Sequence, residues 1–295
     1  MFGIIKKMAE CCSNCSVKSE LNVTLINSDF VKPLIKWAGG KRNLLKVYRN
    51  LFPKKFNKYC EPFLGSGAVF FFLKPKSAVL IDKNEELINF YEVVRDNPWE
   101  LMELISTYKV DKEFYYRIRE QEPSKLGKVE RAVRFLYLNK TAYNGLWRVN
   151  SEGKFNVPFG RYKKVKFFER ENILKASELL KKVKLICGDF EEVLKYAQKG
   201  DFVYLDPPYY PISETANFKS YTSDGFSEED HMRVYEVFKA LDNMECYVML
   251  SNSNTSFIRQ LFKEYNITEV PANRFINRKA DGRGQIIELV IRNYE

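Results

Sequence analysis

The sequence predicts an α/β protein built on a mostly parallel, doubly wound sheet, interrupted by a mainly helical insertion that carries a β-hairpin. Two observations carry the sheet. Short apolar runs at 78–82, 183–187, 202–205 and 246–253 read as strands buried on both faces, and segments of helical period alternate with them. A third observation carries the insertion: between the first and second of these runs the alternation gives way to a long helical stretch and a basic, glycine-punctuated segment. The resulting division is a poorly specified arm at 1–31, a first part of the sheet domain at 32–90, the insertion at 91–170 and a second part at 171–295.

Composition bounds the partner. The 295 residues carry 48 Lys and Arg against 38 Asp and Glu, a net charge of +10, so a polyanion is the natural ligand. Charge alone does not separate DNA from RNA or acidic lipid. One histidine, His231, leaves little material for a histidine base or a histidine-rich metal site. Cys11, Cys12 and Cys15 cluster in the arm without a fourth ligand nearby, whereas Cys60, Cys187 and Cys246 sit in or beside apolar runs and read as buried small hydrophobes. No segment approaches the ~20 apolar residues of a membrane span, and the start lacks a signal peptide's apolar region, so a reducing cytoplasm with free thiols is expected.

In the arm, only Val23-Thr24-Leu25-Ile26 offers a short edge strand or a packing patch. Lys32 to Lys41 reads as extended, and Asn43 to Leu51 as helical. Gly39-Gly40-Lys41 is not a phosphate loop, because the earlier glycine and the hydroxyl residue after Lys41 are missing. Next, Lys58-Tyr59-Cys60 leads into Glu61-Pro62-Phe63-Leu64-Gly65-Ser66-Gly67 and a helix from Val69 to Leu73. Strand, glycine turn and helix open a nucleotide-binding βαβ unit, in which glycines let the backbone approach a ligand. Asp82 ends the following strand fifteen residues after Gly67. An acid there accepts from ribose hydroxyls; the alternative is an exposed strand end or a cap for the helix starting near Glu85.

Leu87, Ile88, Tyr91, Val94, Leu101, Leu104 and Ile105 recur at helical spacing, broken at Asp96-Asn97-Pro98, and a further helix runs from Glu130 to Asn139. From Tyr143 to Val157, Asn-Gly and Glu-Gly pairs punctuate short alternating stretches, a β-hairpin pattern. Arg148, Lys154, Arg161, Lys163, Lys164 and Lys166 crowd it, with Tyr143, Trp147, Phe155, Phe159 and Tyr162 between them. Such a ribbon either enters a nucleic-acid groove or is a solvated basic hairpin. Asp189 follows the third strand as a helix N-cap. Beyond the fourth strand, Pro211 to Gly225 is a long loop with Phe218 and Tyr221. Phe226 to Leu241 is a helix capped by Ser227 with Asp230, and Phe257 to Tyr265 another. A basic loop holds Arg274, Arg278, Lys279 and Arg283, and Ile286 to Ile291 closes the sheet.

The chemistry concentrates at Asp206-Pro207-Pro208-Tyr209, where the run Phe202 to Leu205 stops at two prolines, beyond the carboxyl end of a strand. An exocyclic base amine is a poor nucleophile because its lone pair is delocalised into the ring. The Asp206 carboxylate and the Pro207 carbonyl can accept both amine hydrogens and return that lone pair to nitrogen, while Tyr209 offers a ring face for a flipped base. No metal is needed for this.

This tetrad, Lys36-Trp37-Ala38-Gly39-Gly40-Lys41, the Glu61 to Gly67 turn and Asn156-Val157-Pro158-Phe159-Gly160-Arg161-Tyr162 occur in one order. That order resembles the Dam-type adenine-specific DNA methyltransferases, in the branch containing the DpnII modification enzyme, from about Lys32 to the C-terminus. The resemblance implies a Rossmann-like methyltransferase that uses S-adenosylmethionine to methylate adenine N6 in double-stranded DNA, within GATC, after base flipping. It implies Trp37, Lys41, Phe63, Gly65, Gly67, Asp82, Asp189, Phe190 and Asp206 as cofactor positions, with Asp189 accepting from the adenine amine and Phe190 as a wall. The insertion becomes the target-recognition domain, with Tyr143, Asn144, Leu146, Arg148 and Pro158 reading bases. Lys36 adds a contact at the outer base pair, and Arg161 and Arg278 touch DNA. A cognate restriction endonuclease sharing the site is a functional partner that need not touch this chain. The same amine chemistry leaves cytosine N4 or RNA adenine as alternative targets, and a catalytically silent DNA-binding protein as the reading from another class.

Overall fold

The apolar runs form β1 (Tyr59–Glu61), β2 (Ala78–Asp82), β3 (Val183–Cys187), β4 (Phe202–Leu205) and β5 (Tyr247–Ser253), followed by β6 (Asn266–Asn273) and β7 (Gln285–Arg292). They make one seven-stranded sheet in the order β3-β2-β1-β4-β5-β7-β6. β1 to β5 are parallel, and β7 is antiparallel to both β5 and β6. The structure, a computed structural model, describes residues 31–212, 226–273 and 285–295. Lys32–Glu295 form one compact unit. Of the arm only Val31 is described, so Cys11, Cys12, Cys15 and the Val23 to Ile26 run lie outside the described residues. Phe218, Tyr221, Arg274, Arg278, Lys279 and Arg283 do as well.

Burial explains the strand patterns. β1 and β4 are covered along their whole length, as central parallel strands must be, and β3 at the edge is half-buried or exposed beyond Val183. Edge placement also corrects one expectation: Cys187, the last residue of β3, is exposed, while Cys60 and Cys246 are buried. Burial pushes the Cys60 thiol up to about 12 and the Cys246 thiol to about 11, so both remain inert apolar fillers. A second correction concerns the far edge. The last strand, β7, does not close the sheet but lies inside it, and β6, which apolar patterning did not reveal, forms the border. β6 carries Pro271, and a proline-bearing strand is tolerated at an edge.

Helices flank the sheet: α1 (Leu45–Tyr48), α2 (Ala68–Leu73), α3 (Glu85–Asp96), α4 (Pro98–Ser106), α5 (Lys112–Arg119), α6 (Lys128–Thr141), α7 (Arg170–Leu180), α8 (Glu228–Asn243) and α9 (Ser256–Leu261). Asn84 caps α3 by accepting from Leu87 N, and Pro98 starts α4 afresh. Ser227 and Asp230 form the expected capping box of α8. α3 packs against both α6 and α7, so the helical insertion and the sheet domain share it. After α6 the hairpin is minimal: single antiparallel bridges join Ala142 to Phe159 and Val149 to Phe155, around a turn closed by Asn150 and Lys154.

Strand order reverses between β1 and β4. The first three strands step outward to one side and the next two to the other, which opens a crevice at their carboxyl ends.

Candidate active site

A cleft of about 930 Å³ occupies that crevice, lined by residues that follow β1, β2, β3 and β4. Gly65 lines its floor with φ of +47° and Gly67 stands just behind with φ of +63°, a backbone that side-chain-bearing residues rarely adopt. A Cβ on Gly65 would stand 2.7 Å from Trp37 Cδ1, so the indole lies directly on the turn. The turn is held from both sides. Gly65 N donates to Asp82 Oδ2 at 3.0 Å, and Tyr91 OH donates to Gly65 O at 3.1 Å. Asp82 Oδ1 accepts from Asn84 N at 2.9 Å, so Asn84 rather than Asp82 caps the helix. Burial raises the Asp82 carboxyl against the pull of these two donors. Glu61, fully buried beside the cleft, is pushed well above the usual carboxylate range by desolvation.

One wall is aromatic. Phe63 stacks on Phe190 with centroids 5.1 Å apart, and Phe226 meets Phe63 edge-on. Asp189 caps the short 3₁₀ turn Phe190–Lys195 through Glu191 N, as its sequence context predicts, and also accepts from Arg233 Nη2 at 2.8 Å. Arg233 reaches Glu191 and Asp230 as well and lies 4.7 Å over the Phe190 ring, fixing this wall to α8.

The opposite end holds Asp206. Its Oδ1 lies 2.8 Å from Lys41 Nζ and accepts from Ser251 Oγ at 2.8 Å, while Oδ2 takes no hydrogen bond from a described residue. Lys41 is 4 % exposed, also donates to Gly39 O at 2.8 Å, and stands 4.6 Å from the Tyr209 ring centroid. Tyr209 OH donates to Glu288 Oε2 at 2.7 Å. The end of β5 anchors the loop: Ser251 bonds Tyr204, Asn252 Oδ1 accepts from Tyr210 N, and Ser253 Oγ donates to Tyr210 O. The cleft therefore gathers Trp37, Lys41, Phe63, Gly65, Asp82, Asp189, Phe190, Asp206, Pro207 and Tyr209, with Gly67 just behind as the N-cap of α2. Sequence reasoning missed Ser251, Arg233 and Glu288. The polar triplet Ser251-Asn252-Ser253 at the carboxyl end of an apolar strand was the available signal for the first.

The positions expected to meet DNA lie apart from the cleft lining. Tyr143, Asn144, Arg148, Pro158 and Arg161 are exposed, Leu146 is half-buried, and Arg278 lies outside the described residues. Arg148 Nε donates to Asn156 Oδ1 at 2.8 Å. Trp147 and Phe155 turn inward instead, Trp147 packing on Phe135 at 4.3 Å and on Phe155 at 4.7 Å, so these rings anchor the hairpin. Lys36 joins the two regions. Its backbone makes a pair of hydrogen bonds with the buried Asn139 of α6, and its ammonium lies 5.0 Å over Tyr162. A Cβ on Gly145 would fall 2.4 Å from Lys36 Cδ, which explains the glycine there.

A doubly wound sheet with a glycine turn after β1, an acid closing β2 and an Asp-Pro-Pro-Tyr loop after β4 defines a Rossmann-like methyltransferase. The chain belongs to the family of D12 class N6 adenine-specific DNA methyltransferases, whose model matches residues 37–276. It is an enzyme that methylates adenine N6 in DNA. It is 45 % identical over 282 residues to the Type II methyltransferase M1.LlaDCHI of Lactococcus lactis subsp. cremoris, covering 93 % of this chain and 99 % of that one. It is 42 % identical to the Type II methyltransferase M.MjaIII of Methanocaldococcus jannaschii, over 90 % and 99 % of the two chains. To the DNA adenine methylase of Escherichia coli it is 34 % identical, over 88 % and 94 %. No helix among the described residues is long and apolar enough to cross a membrane.

Proposed function

We propose that this methyltransferase uses S-adenosylmethionine, acts on the adenine of GATC in duplex DNA and takes the base out of the helix to do so. The observation that carries the reading is the convergence of Gly65, Asp82 and Asp206 on one cleft at the strand-order reversal. The residues present fit the cofactor. Phe63 and Phe190 offer a flat apolar wall for an adenine, Asp82 retains acceptor capacity for ribose hydroxyls, and the Asp206 side chain lines the same cleft. When bound, S-adenosylmethionine supplies an electrophilic sulfonium methyl group.

The rest is the work of this chain. Asp206, by its oxygen not bonded to Lys41 and Ser251, accepts one amine hydrogen of the target, and the Pro207 carbonyl accepts the other. The nitrogen lone pair is thereby withdrawn from the ring and aimed at the methyl. Tyr209 stacks on the base. Trp37 lies over the glycine turn and shields the donor, while Lys41 holds Asp206 in place and borders the cofactor. Asp189 and Phe190 flank the cofactor's adenine.

Residues 91–170 act as the target-recognition domain. Tyr143, Asn144, Leu146, Arg148 and Pro158 read base edges, Lys36 meets the outer base pair, and Arg161 and Arg278 contact the backbone. Unstacking the adenine costs about 3 kcal/mol. The basic hairpin supplies it from binding energy. GATC rests on the likeness to the Dam-type relatives, and the Type II names of two relatives support a restriction endonuclease sharing the site. The enzyme works in the cytoplasm, where its DNA is. Calorimetric titration of S-adenosylmethionine tests the cofactor assignment: Asp82→Asn and Gly65→Ala should each weaken binding about tenfold or more. Undiminished affinity in both would refute it.

A further inference from the structure

We propose that Glu288, on β7, is a positioning residue for the target base: its carboxylate anchors the hydroxyl end of the Tyr209 ring, so that the ring on which the flipped adenine stacks does not swing away from the cleft. The inference rests on the reading of Tyr209 as the stacking residue. The geometry points to it from three sides. Tyr209 OH donates to Glu288 Oε2 at 2.7 Å, a charge-assisted bond at the far end of the ring. Burial, reinforced by the Asp206 carboxylate, pushes the Tyr209 hydroxyl well above its ordinary value, so it keeps the proton that it donates. The Lys41 ammonium lies over one face of the ring, 4.6 Å from its centroid. Glu288 is itself tethered: Tyr48 OH, from α1, approaches the same oxygen at 3.4 Å.

Glu288 lines the cleft and is locked in register, opposite Ser253 of β5 and Val270 of β6. A tyrosine after two prolines has a stiff backbone, but its side chain still swings about the Cα–Cβ bond. A partner at the hydroxyl holds the far end of the ring against that swing, and a group packed on a face holds the ring plane. Lys41 supplies the face and Glu288 the hydroxyl. A carboxylate on the phenol also enriches the ring in electron density, which strengthens its hold on positive charge that develops on the base amine as the methyl arrives.

The test is a double-variant cycle on the full chain, with 2-aminopurine in place of the target adenine as a reporter of extrusion and with methyl transfer to unmodified duplex. Glu288→Ala and Tyr209→Phe should each lower the extrusion equilibrium and kcat by about ten- to one-hundred-fold. The KM for S-adenosylmethionine should stay within about twofold. Glu288→Gln, which keeps an acceptor oxygen but no charge, should recover part of the loss. Tyr209→Phe combined with Glu288→Ala should be no worse than either alone, because the two act through one bond. Additive losses, or a Glu288→Ala defect confined to cofactor binding, would overturn the assignment.

Tyr209→Ala separates this failure from that of the stacking reading. If Tyr209→Ala loses extrusion while Glu288→Ala and Glu288→Gln retain it, only the role of Glu288 falls. If Tyr209→Ala extrudes the base normally, the stacking role falls and the positioning role with it.

Discussion

Lys41 Nζ and Asp206 Oδ1 stand 2.8 Å apart, an ion pair formed between a loop near the start of the sheet domain and the loop after β4. Lys41 is almost wholly removed from solvent, and Asp206 is the acid that it pairs with. Asp206→Ala should therefore have two separable effects. Methyl transfer should fall by about 10²–10⁴-fold, because the amine loses its acceptor. Thermal stability should drop by about 3–5 kcal/mol, because a buried ammonium is left unpaired. Mobility-shift assays should find DNA affinity unchanged, and adding Lys41→Met should return part of the stability without returning activity.

Gly65 is the second pressure point. Its positive φ and the 2.7 Å approach of a Cβ to Trp37 predict that Gly65→Ala destabilises the fold by about 1–3 kcal/mol. Thermal melts should show that Gly65→Ala with Trp37→Ala recovers the steric part only, since the backbone strain persists.

Arg148 is exposed on the hairpin, held by Asn156. Arg148→Ala should relax the preference at one position of the recognition site at a cost of about 1–3 kcal/mol. Methylation rates on a panel of singly substituted duplexes measure this. A uniform loss across the panel would make Arg148 a backbone contact instead.

Lys140 supplies a pH test. Burial, with help from the Lys36 charge, pushes its ammonium down from 10.5 to about 8. The folded value lies below the unfolded one, so the folded state binds fewer protons between them. The cost of keeping Lys140 charged is complete below about 8 and is relieved as the pH rises through 10.5. Lys140→Met should thus be more stable than the parent near neutrality, by an amount of the order of 3 kcal/mol. Melting curves across alkaline pH should show that advantage shrinking.

Much of the cleft was legible because its parts are local in sequence. The run Phe202 to Leu205 ends at two prolines and can only be a buried strand that stops, and the Glu61 to Gly67 turn needs its glycines where they stand. What failed to show is non-local. Glu288 meets Tyr209 across 79 residues and Ser251 meets Asp206 across 45, and no spacing rule announces either. β6 was hidden by Pro271 and its polar neighbours, and α5 by the dense charge of Lys112 to Arg119. The aromatics of the hairpin were only half read: Tyr143 faces solvent, but Trp147 and Phe155 serve the core. Cys187 looked buried because its strand is apolar, and the sheet edge exposes it.

The most direct measurement is transfer of labelled methyl from S-adenosylmethionine to two duplexes, one containing GATC and one with that adenine replaced, followed by identification of the nucleoside. Label recovered as N6-methyladenine from the first duplex alone is the predicted result. Label in both duplexes, in neither, or on another nucleoside would contradict the assignment of base and site.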